Sequence, residues 1–297
     1  MKDKKKPKGT KAKVQAYKKR IAYIGHTIIV AILVSIIAVS SFFLYSMLFS
    51  PSEQTPISQF KPDNSDSQLK AAIVDHLSLT CPNQTFIQTA TDTLKQAGYT
   101  VDYYPGEQVT VEFYRNLPTY AYKLIILRVH SAAASYEEKE FKEAPVCLFT
   151  SEPYSKTKHV YEQLTDQLVI ASYTMPEPPY YFAIMPKFVT SSVNGKFDNT
   201  VIIMMGCEGL HNEKMAEALI EKGAKVYISW NEMISASHTD QTTTHLLKHL
   251  ITENQTIRQS VEKTMKEVGA DPDFKNLLSY HPLEVGDQTI KNINSES

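Results

Sequence analysis

Glycine is scarce in this 297-residue chain, and none of its 10 glycines falls in a G-x-G-x-x-G or G-K-[ST] pattern. A phosphate-cradling loop of either kind is therefore excluded. His245 and His249 have the i, i+4 spacing of a zinc site. No Glu follows His245 and no third ligand is evident in the sequence, so the HExxH reading fails. Neither a metal nor a cofactor is expected. Tryptophan occurs once, at Trp230, where it reads as core or pocket wall rather than a stacking platform. Cysteine is limited to Cys81, Cys147 and Cys207, an odd set that allows one disulfide and leaves one free thiol.

Charge is missing altogether from one long stretch. Residues 21–49 contain no Asp, Glu, Lys or Arg, and the run from Ile28 to Val39 is almost uniformly apolar. A membrane-spanning helix needs about 20 such residues. A cleaved signal peptide would have an apolar region of about 7–15 residues ending in small side chains. This run is longer and ends in Phe42-Phe43-Leu44-Tyr45, so a spanning anchor is the expectation. Its flank, from Lys2 to Arg20, is densely basic with Asp3 as its lone acid. That places residues 1–20 in the cytoplasm and the C-terminal part outside, and it favours anionic lipid as a partner. Because the whole chain has a net charge of -1, everything beyond this flank is acidic, which argues against a nucleic-acid surface.

Composition divides the remainder. Residues 50–67 are rich in Pro, Ser, Gln and Asp and read as a linker, flexible over a span of roughly 25 Å. Residues 68–283 read as one α/β domain and residues 284–297 as a loose polar tail. At 42% hydrophobic residues, the chain is apolar enough to build a real core. Within the domain, apolar strands are expected at Lys70–Asp75, Tyr99–Tyr104, Lys123–Val129, Val201–Met205 and Lys225–Trp230. Extra hairpin or edge strands are expected at Pro145–Thr150 and Tyr181–Val189. Amphipathic helices are expected at Gln84–Gly98, Val109–Leu117, Thr157–Gln167, His211–Gly223, Thr239–Thr252 and Thr256–Val268. Continuous apolar strands separated by helices imply a largely parallel sheet covered on both faces, with sites beyond the carboxyl ends of its strands.

Two strand ends carry chemistry. Leu124–Val129 runs into His130-Ser131, and Val201–Met205 runs into Gly206-Cys207-Glu208-Gly209. If the strands are neighbours, an imidazole and a thiol share one crevice, and the imidazole can accept the thiol's proton. Gly206 and Gly209 allow a tight turn and leave N–H groups free for an oxyanion. The bland alternative is an inert, buried cysteine and a surface histidine. Asp75-His76 ends the first strand at a position lining the same crevice, where Asp75 could favour a basic substrate side chain or simply be a solvated acid. Asp240 or Thr239 reads most simply as the N-cap of the helix that follows. His211 and His238 read as surface or near-cap residues. Asn83 and Asn254 sit in glycosylation sequons.

The order strand–His, then strand–Gly-Cys-x-Gly, resembles the caspase-type cysteine peptidase clan, with its clostripain, gingipain and CHAT members. The segment from Gly223 to Trp230 is similar to the strand that follows the nucleophile helix in that clan, and the match runs in element order from about Lys70 to Pro282. The resemblance implies a three-layer caspase-like sandwich and a peptidase acting on peptide or protein substrates. In it Cys207 is the nucleophile, His130 is the acid/base, and Trp230, Asp75 and Glu208 stand near the substrate. Oxyanion stabilisation falls to the N–H of Cys207 and one from the loop after His130. The clan usually has Gly where this chain has Ser131, and Glu208 follows the nucleophile, where its charge would disfavour a thiolate. Those departures fit the alternative, an inactive caspase-like binding module. Outside the cytoplasm Cys81 and Cys147 are a candidate disulfide, with Cys207 left over.

The anchor makes a direct prediction. Alkaline carbonate extraction is expected to leave the full-length chain in the membrane pellet, while deletion of residues 1–49 releases it to the supernatant. Recovery of the intact chain in the supernatant would dismiss the spanning helix.

Overall fold

In the computed structural model, residues 69–134, 143–174 and 177–295 are described. The expected spanning helix at 21–49 and the linker at 50–67 lie outside them. Among the described residues no helix is long and apolar enough to cross a membrane.

Four apolar strand runs, flanked by two more polar edge strands, form a six-stranded sheet. Its strands are β1 (Lys70–Asp75), β2 (Thr100–Pro105), β3 (Leu124–Arg128), β8 (Thr200–Met204), β9 (Ala224–Trp230) and β10 (Leu278–His281). They lie in the order β10-β9-β8-β3-β1-β2, all parallel except β10. Because successive side chains point to opposite faces, the central strands feed two cores. Ile73, Ile126 and Ile203 pack with helices α1 (Gln84–Gln96), α6 (Ala236–Leu247) and α7 (Ile257–Val268). Val74, Leu127 and Met204 pack with α2 (Val111–Asn116), α4 (Pro186–Ser192) and α5 (Lys214–Glu221). An α/β fold with helices on both faces of a mostly parallel sheet is the result.

Helix ends follow local chemistry. The side chain of Asn83 accepts from the Phe86 N–H to cap α1, and Thr256 with Gln259 forms a reciprocal capping box on α7. The expected strand Tyr181–Val189 is corrected. It stops as β7 (Tyr181–Ile184), and Pro186 opens α4 instead, because proline lacks an N–H but suits the first turn of a helix.

A second sheet, antiparallel and in the order β4-β5-β7-β6, is inserted after β3. It comprises β4 (Ser131–Ala133), β5 (Val146–Pro153), β6 (Leu168–Ala171) and β7, with the short helix α3 (Val160–Leu164) before β6. Its four strands have a small core of their own around Cys147, Phe149 and Ala183.

The expected loose tail is also corrected. A 3₁₀ turn at Leu283–Asp287 and a last helix, α8 (Ile290–Ser295), follow β10. Val285, Ile290 and Ile293 are buried in the core beneath α6 and α7, and the Asn294 amide donates to Tyr99 Oη at 2.9 Å. Three apolar side chains at suitable spacing are enough to fold back a segment whose remaining residues are polar. The compact unit accordingly includes these C-terminal elements.

At the carboxyl ends of β1 and β3, Arg128 is fully buried. Its guanidinium donates to Asp75 at 2.7 Å, to both carboxylate oxygens of Asp240 at 2.7 and 2.8 Å, and to the Cys81 carbonyl at 2.7 Å. Tyr103 Oη donates to the other Asp75 oxygen at 3.1 Å, and the Asn83 amide donates to Asp240 at 2.9 Å. The network ties β1, β3, α6 and the turn before α1 together. Breaking a buried ion pair leaves charge without a partner and costs about 3–5 kcal/mol. Arg128→Met is expected to lower the unfolding free energy by about that much in urea titrations; a change under about 1 kcal/mol would mean the network is not what joins these elements.

Candidate active site

Parallel pairing of β3 with β8 sets Leu127 opposite Met204. His130 and Cys207 therefore each stand three residues past a paired position, at the same height beyond the sheet. The two turns touch. A Cβ on Gly206 would lie 2.3 Å from the Val129 carbonyl oxygen and 2.4 Å from Ser131 Oγ, so only glycine lets the strand ends approach this closely. Ser131 Oγ donates to the Cys207 carbonyl, and Gly209 makes a similarly close approach to Ser229 on β9. Both His130 and Cys207 are half-buried and reach solvent. Among the described residues, no backbone carbonyl takes the Cys207 N–H.

The imidazole and the thiol each have another partner in this structure. His130 Nε2 lies 2.8 Å from Thr80 Oγ1, and its ring packs 4.8 Å from Tyr173, 5.8 Å edge-on to His76 and 6.0 Å from Phe149. Cys207 Sγ donates to the Ile234 carbonyl at 3.6 Å. Burial, with the nearby Arg128 charge adding to it, pushes His130 down to about 4. Burial also pushes the Cys207 thiol up, and the carboxylates of Glu208 and Asp271 reinforce that shift. Near neutral pH the pair is thus an uncharged imidazole and an uncharged thiol.

Other residues singled out in the sequence have different places. Ser131 is a buried clamp between the two turns, so its hydroxyl does not narrow an oxyanion pocket. Glu208 is also buried, at a left-handed φ of 60°. It accepts from the Ala133 N–H at 2.7 Å and thereby staples the cysteine turn to β4. Asp75 is not a substrate-facing acid: it is fully buried against Arg128. Trp230 is core rather than pocket wall, 1% exposed, with its indole N–H donating to Thr239 Oγ1 at 3.0 Å. Asp240 does not cap its helix. Helix α6 begins four residues earlier, which turns Asp240 inward to Arg128.

The candidate disulfide is corrected as well. Cys81 is exposed and Cys147 is buried within β5, both as free thiols. Arg128 holds the Cys81 carbonyl in the turn before α1, while Cys147 packs in the small core of the second sheet. The amide nitrogen of Asn83, which a glycan would need, is engaged with Asp240.

Sequence reasoning missed the second sheet's contribution. Tyr173, just beyond β6, packs against His130 with its ring tilted by 46° and shares a 3.0 Å hydrogen bond with His76 Nε2. Next to it lies an apolar cleft of about 350 Å³, lined by Ala132, Ala134, Cys147, Phe149, Val169 and Tyr173. Phe149 and Tyr173 touch both the cleft and the His130 ring, so the two adjoin. No motif announces these residues, because their strands are short and separated from His130 in sequence.

No family model matches the chain, and no curated protein matches it by sequence. Among solved structures, protein GSU0716 from Geobacter sulfurreducens is similar at 8% identity and a TM-score of 0.40, over 74% of this chain and 97% of that one. A likeness this distant does not carry a function, and the site rests on its own geometry.

The crevice predicts a pH dependence. Burial, with His130 adding to it, pushes His76 down to about 4, as happens to His130 itself. Between about 6.5 and 4 the unfolded chain binds more protons than the folded one, so stability is complete above that window and falls as pH drops through it. The urea midpoint should decline across this range, and decline less in His130→Asn. A second loss belongs lower. Burial of Asp271 is outweighed by hydrogen bonds from Ser235, Phe274 and Asp273, which hold its carboxyl at about 2, so its contribution fades only below about 3.8. Equal slopes for wild type and His130→Asn between pH 6.5 and 4 would refute the assignment to the crevice histidines.

Proposed function

We propose that the chain is a membrane-anchored cysteine peptidase of caspase-like fold, cleaving peptide bonds outside the cytoplasm. What carries this reading is the equal height of His130 and Cys207 past the paired strands β3 and β8, with Gly206 letting the two turns meet. A neutral imidazole is the form that can act as a general base. In the proposed reaction His130 Nε2 leaves Thr80 and takes the Sγ proton as sulfur attacks the substrate carbonyl carbon. The resulting oxyanion meets the N–H of Cys207. The imidazolium then protonates the leaving amine, and water, deprotonated by His130, hydrolyses the thioester to release acid and free thiol. The apolar cleft beside His130 suits a hydrophobic substrate side chain, which replaces the basic one expected from Asp75.

A second reading, an inactive caspase-like binding module, draws on one observation. The thiol and the imidazole are each hydrogen-bonded elsewhere, and burial and Glu208 disfavour the thiolate.

Incubating the full-length chain in detergent with a diverse peptide library, with products read by mass spectrometry, separates the two. The peptidase reading expects cleavage next to apolar residues, reduced at least about 10³-fold in Cys207→Ala and in His130→Ala. Absence of cleavage by the wild type, or cleavage undiminished in Cys207→Ala, rules it out. Equal peptide binding by wild type and Cys207→Ala with no products would establish the binding module.

A further inference from the structure

The histidine pair set aside in the sequence acquires a third ligand in the fold. Helix α7 packs against α6 and brings Glu267 to His245 and His249. Glu267 Oε2 lies 3.0 Å from His245 Nδ1 and 3.0 Å from His249 Nε2. The three ligand atoms all fall within 4.8 Å of one another. We propose that His245, His249 and Glu267 bind a divalent transition-metal ion of the zinc type, which cross-links α6 to α7 away from the His130–Cys207 crevice.

The donor set suits such an ion. Two imidazole nitrogens and one carboxylate oxygen are the protein ligands of zinc sites that keep a fourth position for water. Bonds of about 2.0–2.1 Å in a tetrahedral arrangement separate ligand atoms by about 3.4 Å. The two 3.0 Å carboxylate–imidazole spacings need to open by a few tenths of an ångström to admit the ion, and the two imidazole nitrogens, within 4.8 Å of each other, have to settle at about 3.4 Å.

The second observation concerns charge. His249 is fully buried, and its other nitrogen, Nδ1, lies 3.0 Å from Glu253 Oε2. Glu253 is itself held by Lys263 at 2.6 Å and by Lys248 at 3.5 Å. A proton shared between Nδ1 and Glu253 turns the Nε2 lone pair outward, the arrangement that orients a metal-binding histidine from behind. That lone pair then faces a carboxylate oxygen at 3.0 Å, two acceptors against each other, and a positive charge has to stand between them. Among the described residues, Glu267 forms ion pairs only with these two histidines. The remaining sources of charge are a proton on the cluster and a metal ion.

Access is provided for. The side chains of His245 and Glu267 are 36% and 32% exposed, against 0% for His249, so the cluster has a buried wall and an open rim. His249 lies on a π-helical turn, Lys248–Thr252, that continues from α6. Such widened turns are rare and frequently mark functional positions.

The test uses the untagged full-length chain, stripped with chelator and titrated with Co²⁺ while visible absorbance is read. Binding of about one equivalent with a tetrahedral d–d band, bleached by Zn²⁺, is expected. His245→Ala and Glu267→Gln, both on the open rim, should each weaken binding by about 10²-fold or more, and Glu253→Gln by about 10- to 100-fold. If His245→Ala loses its far-UV circular dichroism, the near-isosteric Glu267→Gln decides alone. Absence of a band, together with a melting temperature that Zn²⁺ leaves unmoved, would assign the charge to a proton and overturn the proposal. Binding unchanged in Glu267→Gln would place the ion elsewhere and overturn it equally.

Discussion

Arg128 is the constraint on which the rest of this structure depends. Its side chain has no exposure, and one guanidinium faces the carboxylates of Asp75 and Asp240. Removing such groups from water is costly, and it is offset only where geometry is good and the remaining lone pairs are satisfied. Both conditions hold. Asp240 receives the guanidinium through both oxygens, while Tyr103 and Asn83 fill the remaining acceptor sites. The arrangement can form only if β1 lies beside β3, if α6 crosses their ends, and if the turn after β1 brings the Cys81 carbonyl inward. One side chain thereby commits four segments to a single arrangement.

The same interaction reaches into the crevice. His130 lies two residues beyond Arg128, and the neighbouring positive charge adds to burial in keeping its imidazole neutral. The second sheet completes the surroundings, since β4 grows directly out of the turn that carries His130 and Ser131. Hydrogen bonds from Ser131 to the Cys207 carbonyl and from the Ala133 N–H to Glu208 join that sheet to the cysteine turn. Tyr173 and Phe149 then give His130 an aromatic wall and an apolar neighbour cleft. Ser131 and Glu208 thus each work as a staple between the two sheets. Their identity follows from packing the inserted sheet against the cysteine turn, whichever chemistry the crevice performs.

The α6–α7 face is organised on different terms. There a buried histidine lies between two carboxylates, one ion-paired with lysines and the other paired with two imidazoles. It stands apart from the Arg128 network, although α6 contributes to both through Asp240 and His245. A change in the position of α6 would therefore be felt at the ends of β1 and β3.

The five main parallel strands and the helices between them were legible because their side-chain periods are local. Apolar runs covered on both faces mark the strands, and the stripe of Phe86, Ile87, Ala90 and Leu94 marks α1. The strand-end placement of His130 and Cys207 was legible for the same reason. The fates of Asp75, Asp240 and Trp230 were not. Whether an aspartate is solvated or holds a buried arginine depends on what arrives from residues 53 and 112 positions away. The short strands β4, β6 and β10, and the last helix, lack enough residues to display a period and owe their form to the surfaces they meet. Glu267 joins His245 and His249 only once α7 has packed on α6. Short-range patterning thus determined the elements and the two strand ends. Partnership between charged, aromatic and imidazole groups was decided by tertiary structure, because those interactions act through space between segments that sequence distance does not relate.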